Sequence, residues 1–201
     1  SPGSELFQVP AFEQRGKFTD DNGSDRVLQI KAADNTAFTS KPLYSYKVIP
    51  ENVVDVVFQN ARLGSGSDFM NALQDNVLEP RIYDIIKEAS RGYTTDALMA
   101  NGGSLKFEQY VQAIVKKEFA NSGLQLISFS LNLDFSSKVK AKIDSRNEVN
   151  TNVSVLDQQI IEQRKRNELE TLKTEQAVIR SKGLTQEILQ EQALDKWNGV
   201  L

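Results

Sequence analysis

Residues 136–182 read SSKVKAKIDSRNEVNTNVSVLDQQIIEQRKRNELETLKTEQAVIRSK, a run with neither proline nor glycine. As one helix it would reach roughly 70 Å at about 1.5 Å per residue. A helix of that length is usually a coiled coil, a membrane span or a repeat rather than part of a globular core. Charges and amides interleave through it, as in Glu162, Gln163, Arg164, Lys165, Arg166, Asn167 and Glu168. No stretch approaches the ~20 apolar residues that a bilayer needs, so the run reads as a helix that wants a partner helix.

The apolar seam of this helix is thin. Val153, Leu156 and Ile160 fit heptad spacing, but the next positions in that phase are Gln163 and Asn167, and a shifted set resumes at Leu169, Leu172 and Ile179. A broken phase predicts weak pairing or a change of supercoil, so assembly is expected to need many contacts or a membrane surface. The bland alternative is a solvated arm that packs back on its own domain. The Arg164, Lys165, Arg166 cluster reads as the helix's solvated face, because acidic residues match basic ones almost one for one from 136 to the end. Gly183 is expected to break the helix, with a second short helix starting at Thr185.

Composition limits the chemistry. The chain has 201 residues, 39% hydrophobic and 25% charged, the profile of a soluble domain with an extension. A net charge of −3 supplies no basic field for nucleic acid. Cysteine and histidine are both absent, which removes the usual zinc ligand sets, a thiolate nucleophile and an imidazole base. No metal or other cofactor is expected. Ser-Lys or paired-carboxylate chemistry stays open, but no serine sits in an activating motif. The Gly64, Ser65, Gly66, Ser67 loop lacks the lysine and spacing of a phosphate-binding P-loop and reads as a connector.

Ahead of the long helix, residues 5–135 read as one α+β domain with an antiparallel-rich sheet and packed helices; residues 1–4 read as an expression remnant or a loose end. Strand patterns are expected at 5–14, with Leu6, Phe7, Val9 and Phe12, and at 25–33, with Val27, Leu28 and Ile30. A third is expected at 36–48, where Phe38, Tyr44, Tyr46 and Val48 alternate with polar residues and Pro42 marks an edge or a bulge. Pro50 and Glu51 open a short helix. Asp68 is placed to cap another, whose stripe skips five residues from Val77 to Ile82 across Pro80. Thr94 or Thr95 caps a short turn. Ser104 starts a helix carrying Phe107, Val111, Val115 and Phe119, and Gly123 ends it. A last strand alternates Ile127, Phe129, Leu131, Leu133 and Phe135, with Leu124 and Leu126 in the opposite phase, so a bulge or a strand that begins one residue late is expected.

Several of these stretches together resemble the SPFH or band 7 domain of stomatins, prohibitins and flotillins, nearest to bacterial prohibitin-like or stomatin-like members. The resemblance rests on Tyr44, Tyr46, Val48, Pro50, Glu51 and Asn52, on Glu79, Pro80 and Arg81, and on Tyr93 and Thr94. It continues through Gly123 with its strand and through Glu175, Gln176, Ala177 and Ile179 in the helix. It closes with Lys196, Trp197, Asn198 and Gly199. The resemblance implies a compact domain (5–135), a coiled-coil helix (136–182) and a closing segment (183–201) in which Trp197 meets a neighbouring subunit or the cap of an assembly. The other reading of Trp197 is a surface anchor or packing residue.

By the same resemblance, the chain is expected to be a non-enzymatic, membrane-associated scaffold that organises microdomains or regulates membrane proteases. Its expected partners are copies of itself in a ring or cage, membrane lipid through an anchor upstream of Glu5, and a membrane protease. The runner-up is a soluble shell protein like the vault shoulder domain, which the natural N-terminus would separate from the scaffold. The expected assembly contacts are Val153, Leu156, Ile160, Leu169, Leu172, Ile179 and Trp197.

Overall fold

Strand content is short and wholly antiparallel. In the computed structural model, which describes residues 8–64 and 68–198, the strands are β1 (Gln14–Lys17), β2 (Leu28–Lys31), β3 (Ala37–Ser40), β4 (Leu43–Val48), β5 (Leu124–Ser130) and β6 (Leu133–Asp134). They form two three-stranded sheets, ordered β1-β4-β5 and β2-β3-β6. The expected α+β class is what the chain adopts.

The alternation from Phe38 to Val48 is real, but it belongs to two strands rather than one. Lys41 and Pro42 separate β3 from β4 and carry the chain from one sheet to the other. The returning chain changes sheets at the same level, between β5 and β6, where Asn132 adopts φ 48°. The two crossings are tied together: Asn132 Nδ2 donates to the Lys41 carbonyl at 3.0 Å and Ser40 Oγ donates to the Leu131 carbonyl at 2.6 Å. Proline is suited to such a crossing because it has no N–H to give a ladder.

One other strand expectation needs correction, and the expected bulge is present. The front strand begins at Gln14, and Phe12 is 70% exposed because no strand partner covers it; Leu6 and Phe7 lie outside the described residues. The bulge in β5 falls inside the strand: Tyr46 pairs with Leu126 and Ser45 with Ser128, so Ile127 has no opposite number. The extra residue reverses the phase. Leu124 and Leu126 point into the core together with Phe129, and Ile127 is exposed.

A 3-10 turn (Pro50–Asn52) leads into α1 (Val53–Gln59), and α2 (Phe69–Leu73) is joined to α3 (Glu79–Ser90) by a π turn (Gln74–Leu78). The π turn explains the skipped stripe. Pro80 offers no N–H and its ring crowds the carbonyl four residues back, and a wider turn relieves that crowding. The buried face therefore steps five residues, from Leu73 to Leu78, and continues at Ile82, Ile85, Ile86 and Ala89. Asp68 stands at the N-cap position of α2 but makes no capping bond with its side chain. Thr94 caps α4 (Thr95–Met99), its Oγ1 accepting from the Ala97 N–H at 3.2 Å, while Thr95 Oγ1 donates to Asp34 at 2.9 Å.

Helix α5 (Gly103–Asn121) buries Phe107, Val111, Val115 and Phe119 at four-residue spacing, against both aromatic clusters. Tyr44 and Tyr46 stack at 5.9 Å, and each meets the Phe119 ring edge-on. Phe38 meets Phe107 edge-on and stacks on Phe135 at 5.3 Å. Gly123 closes α5 at φ 81°, where a Cβ would sit 2.7 Å from Val56 Cγ2; both the backbone and the close packing of α1 demand glycine there.

Helix α6 runs from Ser137 to Asn198, 62 residues. It passes through Gly183 without the expected break, and no second helix starts at Thr185. An interior glycine costs a helix only about 1 kcal/mol relative to alanine, and no proline follows to enforce a stop. Residue packing divides the chain at Lys140 and Ala141 into two units. The first holds both sheets and α1–α5; the second is the remainder of α6.

Candidate assembly interface

Among the described residues, no group of three or more acidic side chains could hold a metal ion, and no helix is long and apolar enough to cross a membrane. The features that invite a functional reading are apolar surfaces. Val153, Leu156, Ile160, Leu169, Leu172, Ile179 and Trp197 all lie on α6 and are all exposed, from 50% at Val153 to 77% at Trp197. In a single chain they pack against nothing, so water sees about half or more of each side chain.

Because α6 is one unbroken helix, its phases can be followed from end to end. Val149, Val153, Leu156 and Ile160 form one stripe. In strict heptad phase it crosses Gln163, Asn167, Glu170 and Thr174 and then regains Ala177, Leu184 and Ile188, four heptads after its lower half. On a straight helix that repeat drifts about 20° per heptad, so the upper and lower halves line up only in a left-handed supercoil. Leu169, Leu172 and Ile179 form a second stripe, and Gly183 and Trp197 fall in its phase. At about 100° per residue the two stripes lie about 150° apart, on nearly opposite flanks of the helix.

The polar interval in the first stripe satisfies itself. Gln163 Nε2 donates to Asn167 Oδ1 at 3.2 Å, and the Thr171 and Thr174 hydroxyls donate to the carbonyls of Asn167 and Glu170 at 2.9 Å. These groups need no partner chain, unlike the leucines beside them. Leu184 and Ile188 were missing from the expected seam, since assuming a break at Gly183 ended the phase count there; Val149 extends the stripe at its other end, one step before Val153. A heptad count carried through the glycine finds them. A further apolar surface lies on the domain itself: Val54 and Phe58, one turn apart on α1, are 68% and 80% exposed.

The structure does not bring the seven seam residues together, since one helix cannot place both flanks against one neighbour. It assigns Val153, Leu156 and Ile160 to one flank and Leu169, Leu172, Ile179 and Trp197 to the other. A family model described as SPFH domain / Band 7 family matches residues 2–185 of the chain. No curated protein matches it.

Proposed function

This chain belongs to the SPFH domain / Band 7 family, and we propose that it is a scaffold subunit: many copies associate side by side at a membrane, organising a microdomain or restraining a membrane protease. Members of the family are generally membrane-associated, non-catalytic scaffolds, and membership supports this reading. The side-by-side arrangement is supported by the two stripes on α6. A helix with one apolar stripe is completed by one partner, as in a coiled-coil pair. A helix with stripes on opposite flanks is completed only by two neighbours, which are in turn left with one flank uncovered. That geometry favours rings and rows over closed dimers.

Each stripe alone is short and interrupted, so a pair of helices is weakly held. Lateral repetition, and confinement of copies on a membrane surface, raise the effective concentration at which weak contacts form. Trp197 contributes the largest side chain to the second flank and places an amphipathic ring where a neighbour's helix would meet it.

The test is the size of the particle. Leu156→Asp with Ile160→Asp removes one flank, and Leu169→Asp with Leu172→Asp removes the other; a charge buried between helices costs several kcal/mol. In the natural, membrane-bound protein each pair is expected to reduce large particles to dimers or monomers, as seen by electron microscopy or light scattering. Unchanged particles from both pairs would place assembly elsewhere.

A further inference from the structure

The second sheet has an open edge. Strand β2 is its outermost strand, paired only with β3. The Ala32 N–H donates to the Thr36 carbonyl at 2.9 Å, which sets the alternation: the backbone groups of Leu28, Ile30 and Ala32 face β3, and those of Gln29, Lys31 and Ala33 face away from it. Two of the outward groups are taken. The Gln29 carbonyl accepts the Tyr83 hydroxyl at 3.2 Å, and the Ala33 N–H donates to the Tyr93 carbonyl at 2.8 Å. Between them the N–H and C=O of Lys31 have no strand to pair with.

This short stretch of edge opens into a cavity of about 470 Å³ lined by Gln29–Ala33, Asn35, Lys87, Ser90 and Arg91. Three of the lining side chains are basic and none is acidic. Lys87 is held at one side, its Nζ 3.1 Å from Asp84 and 4.2 Å from the centre of the Tyr83 ring. Lys31 and Arg91 form no ion pair among the described residues.

We propose that this cavity is a docking site for the carboxyl end of an extended peptide, whose backbone pairs with Lys31 and whose terminal carboxylate lies among Lys31, Lys87 and Arg91. The occupant follows from three features. An unpaired strand edge recruits an extended backbone. The edge is closed at both ends, by Tyr83 and by Tyr93, and spans about 13 Å from Gln29 to Ala33; a strand running through cannot pair past those closures, but a chain end can. The charge of the lining selects the carboxyl end over the amino end, since a carboxylate accepts charge-assisted hydrogen bonds that an ammonium cannot.

The probe is a dye-labelled Val-Glu-Val-Glu-Val peptide with a free carboxyl terminus, the same peptide amidated, and inorganic phosphate as competitor, all measured on the full chain by fluorescence anisotropy. The free-acid peptide is expected to bind at least tenfold more tightly than the amide. Arg91→Met and Lys31→Met are each expected to weaken it about tenfold, with thermal unfolding unchanged. The Lys31 amide resonance, followed by ¹⁵N–¹H NMR in the unaltered chain, is expected to move downfield as a new backbone hydrogen bond forms. Equal binding of acid and amide, indifference to Arg91→Met, or a Lys31 amide that does not move would each overturn the proposal. So would phosphate displacing the peptide at equal concentration, which would make the cavity a general anion site with no preference for a strand.

Discussion

Glu79 is the only carboxylate side chain buried among the described residues. Burial, and secondarily the charge of Asp75, raise its pKa to about 7, while Arg26 pulls the other way. In the unfolded chain the same group titrates near the ordinary value of 4.5. Between those two values the folded state holds the proton and the unfolded state has lost it, so stability falls as pH rises from about 4.5 to about 7 and stays lower above. Glu79→Gln, which is neutral throughout, is expected to flatten that dependence and to stabilise the chain at pH 8 by on the order of 1–3 kcal/mol, read from urea unfolding at pH 5 and pH 8. Nearby, the two tyrosines of β4 differ. Tyr46 accepts the Gln74 amide at 2.8 Å, whereas the Tyr44 hydroxyl is buried without a partner. Tyr44→Phe is therefore expected to be neutral or stabilising by about 1 kcal/mol and Tyr46→Phe destabilising by about as much; the reverse order in denaturant titration would contradict the packing described. Both tyrosines were legible as core residues from period-two alternation, but nothing in the pattern distinguishes a satisfied hydroxyl from an orphaned one. That difference is set by Gln74, 28 positions away along the chain.

Elements formed where local chemistry was decisive and moved where it was not. Thr94 caps α4 and Gly123 ends α5 because a side-chain acceptor and a left-handed backbone are properties of single residues. An interrupted stripe was visible around Pro80, but the five-residue step falls from Leu73 to Leu78, in the π turn just before the proline, whose ring crowds the carbonyl four residues back. Gly183 misled for the opposite reason. Its cost is small and local, and the good helix formers on both sides outweigh it. A Cβ at Gly183 would meet nothing within 4 Å in the isolated helix. Gly183→Ala is accordingly expected to stabilise α6 by about 1 kcal/mol, as a rise in far-UV helical signal retained to higher temperature; a loss of helicity would show that the glycine is a true break. The shifted front strand and the division at Pro42 have a different cause, since strand limits are set by which partner is within reach, and that partner is distant in sequence.

For the molecule as a whole, the proposed assembly through two flanks is what experiment can test. Where unlike flanks meet, the Leu156 and Ile160 pair or the Leu169 and Leu172 pair changed alone should leave monomers; where like flanks meet, either pair alone should cap growth at dimers and all four together should leave monomers, counted by mass photometry. A ring that survives the loss of one flank would shift attention to Val54 and Phe58, the exposed pair on α1. Of the seven expected contact residues, six were legible on one helix from their polar neighbours, and Trp197 was expected in a separate closing segment. The change of phase between Ile160 and Leu169 was legible too, but Trp197 joins the second flank only because α6 continues through Gly183. The sequence by itself determined the α+β class and the long helix, for these rest on periodicity, capping and turn chemistry, which act over a few residues; its motifs carried the resemblance to the family. Only the tertiary structure decided that Phe38 and Tyr44 belong to different sheets, that Ile127 faces outward, that Glu79 is buried and that β2 keeps an open edge. Each of these depends on which distant segment pairs or packs against it, and short-range pattern carries no record of that choice.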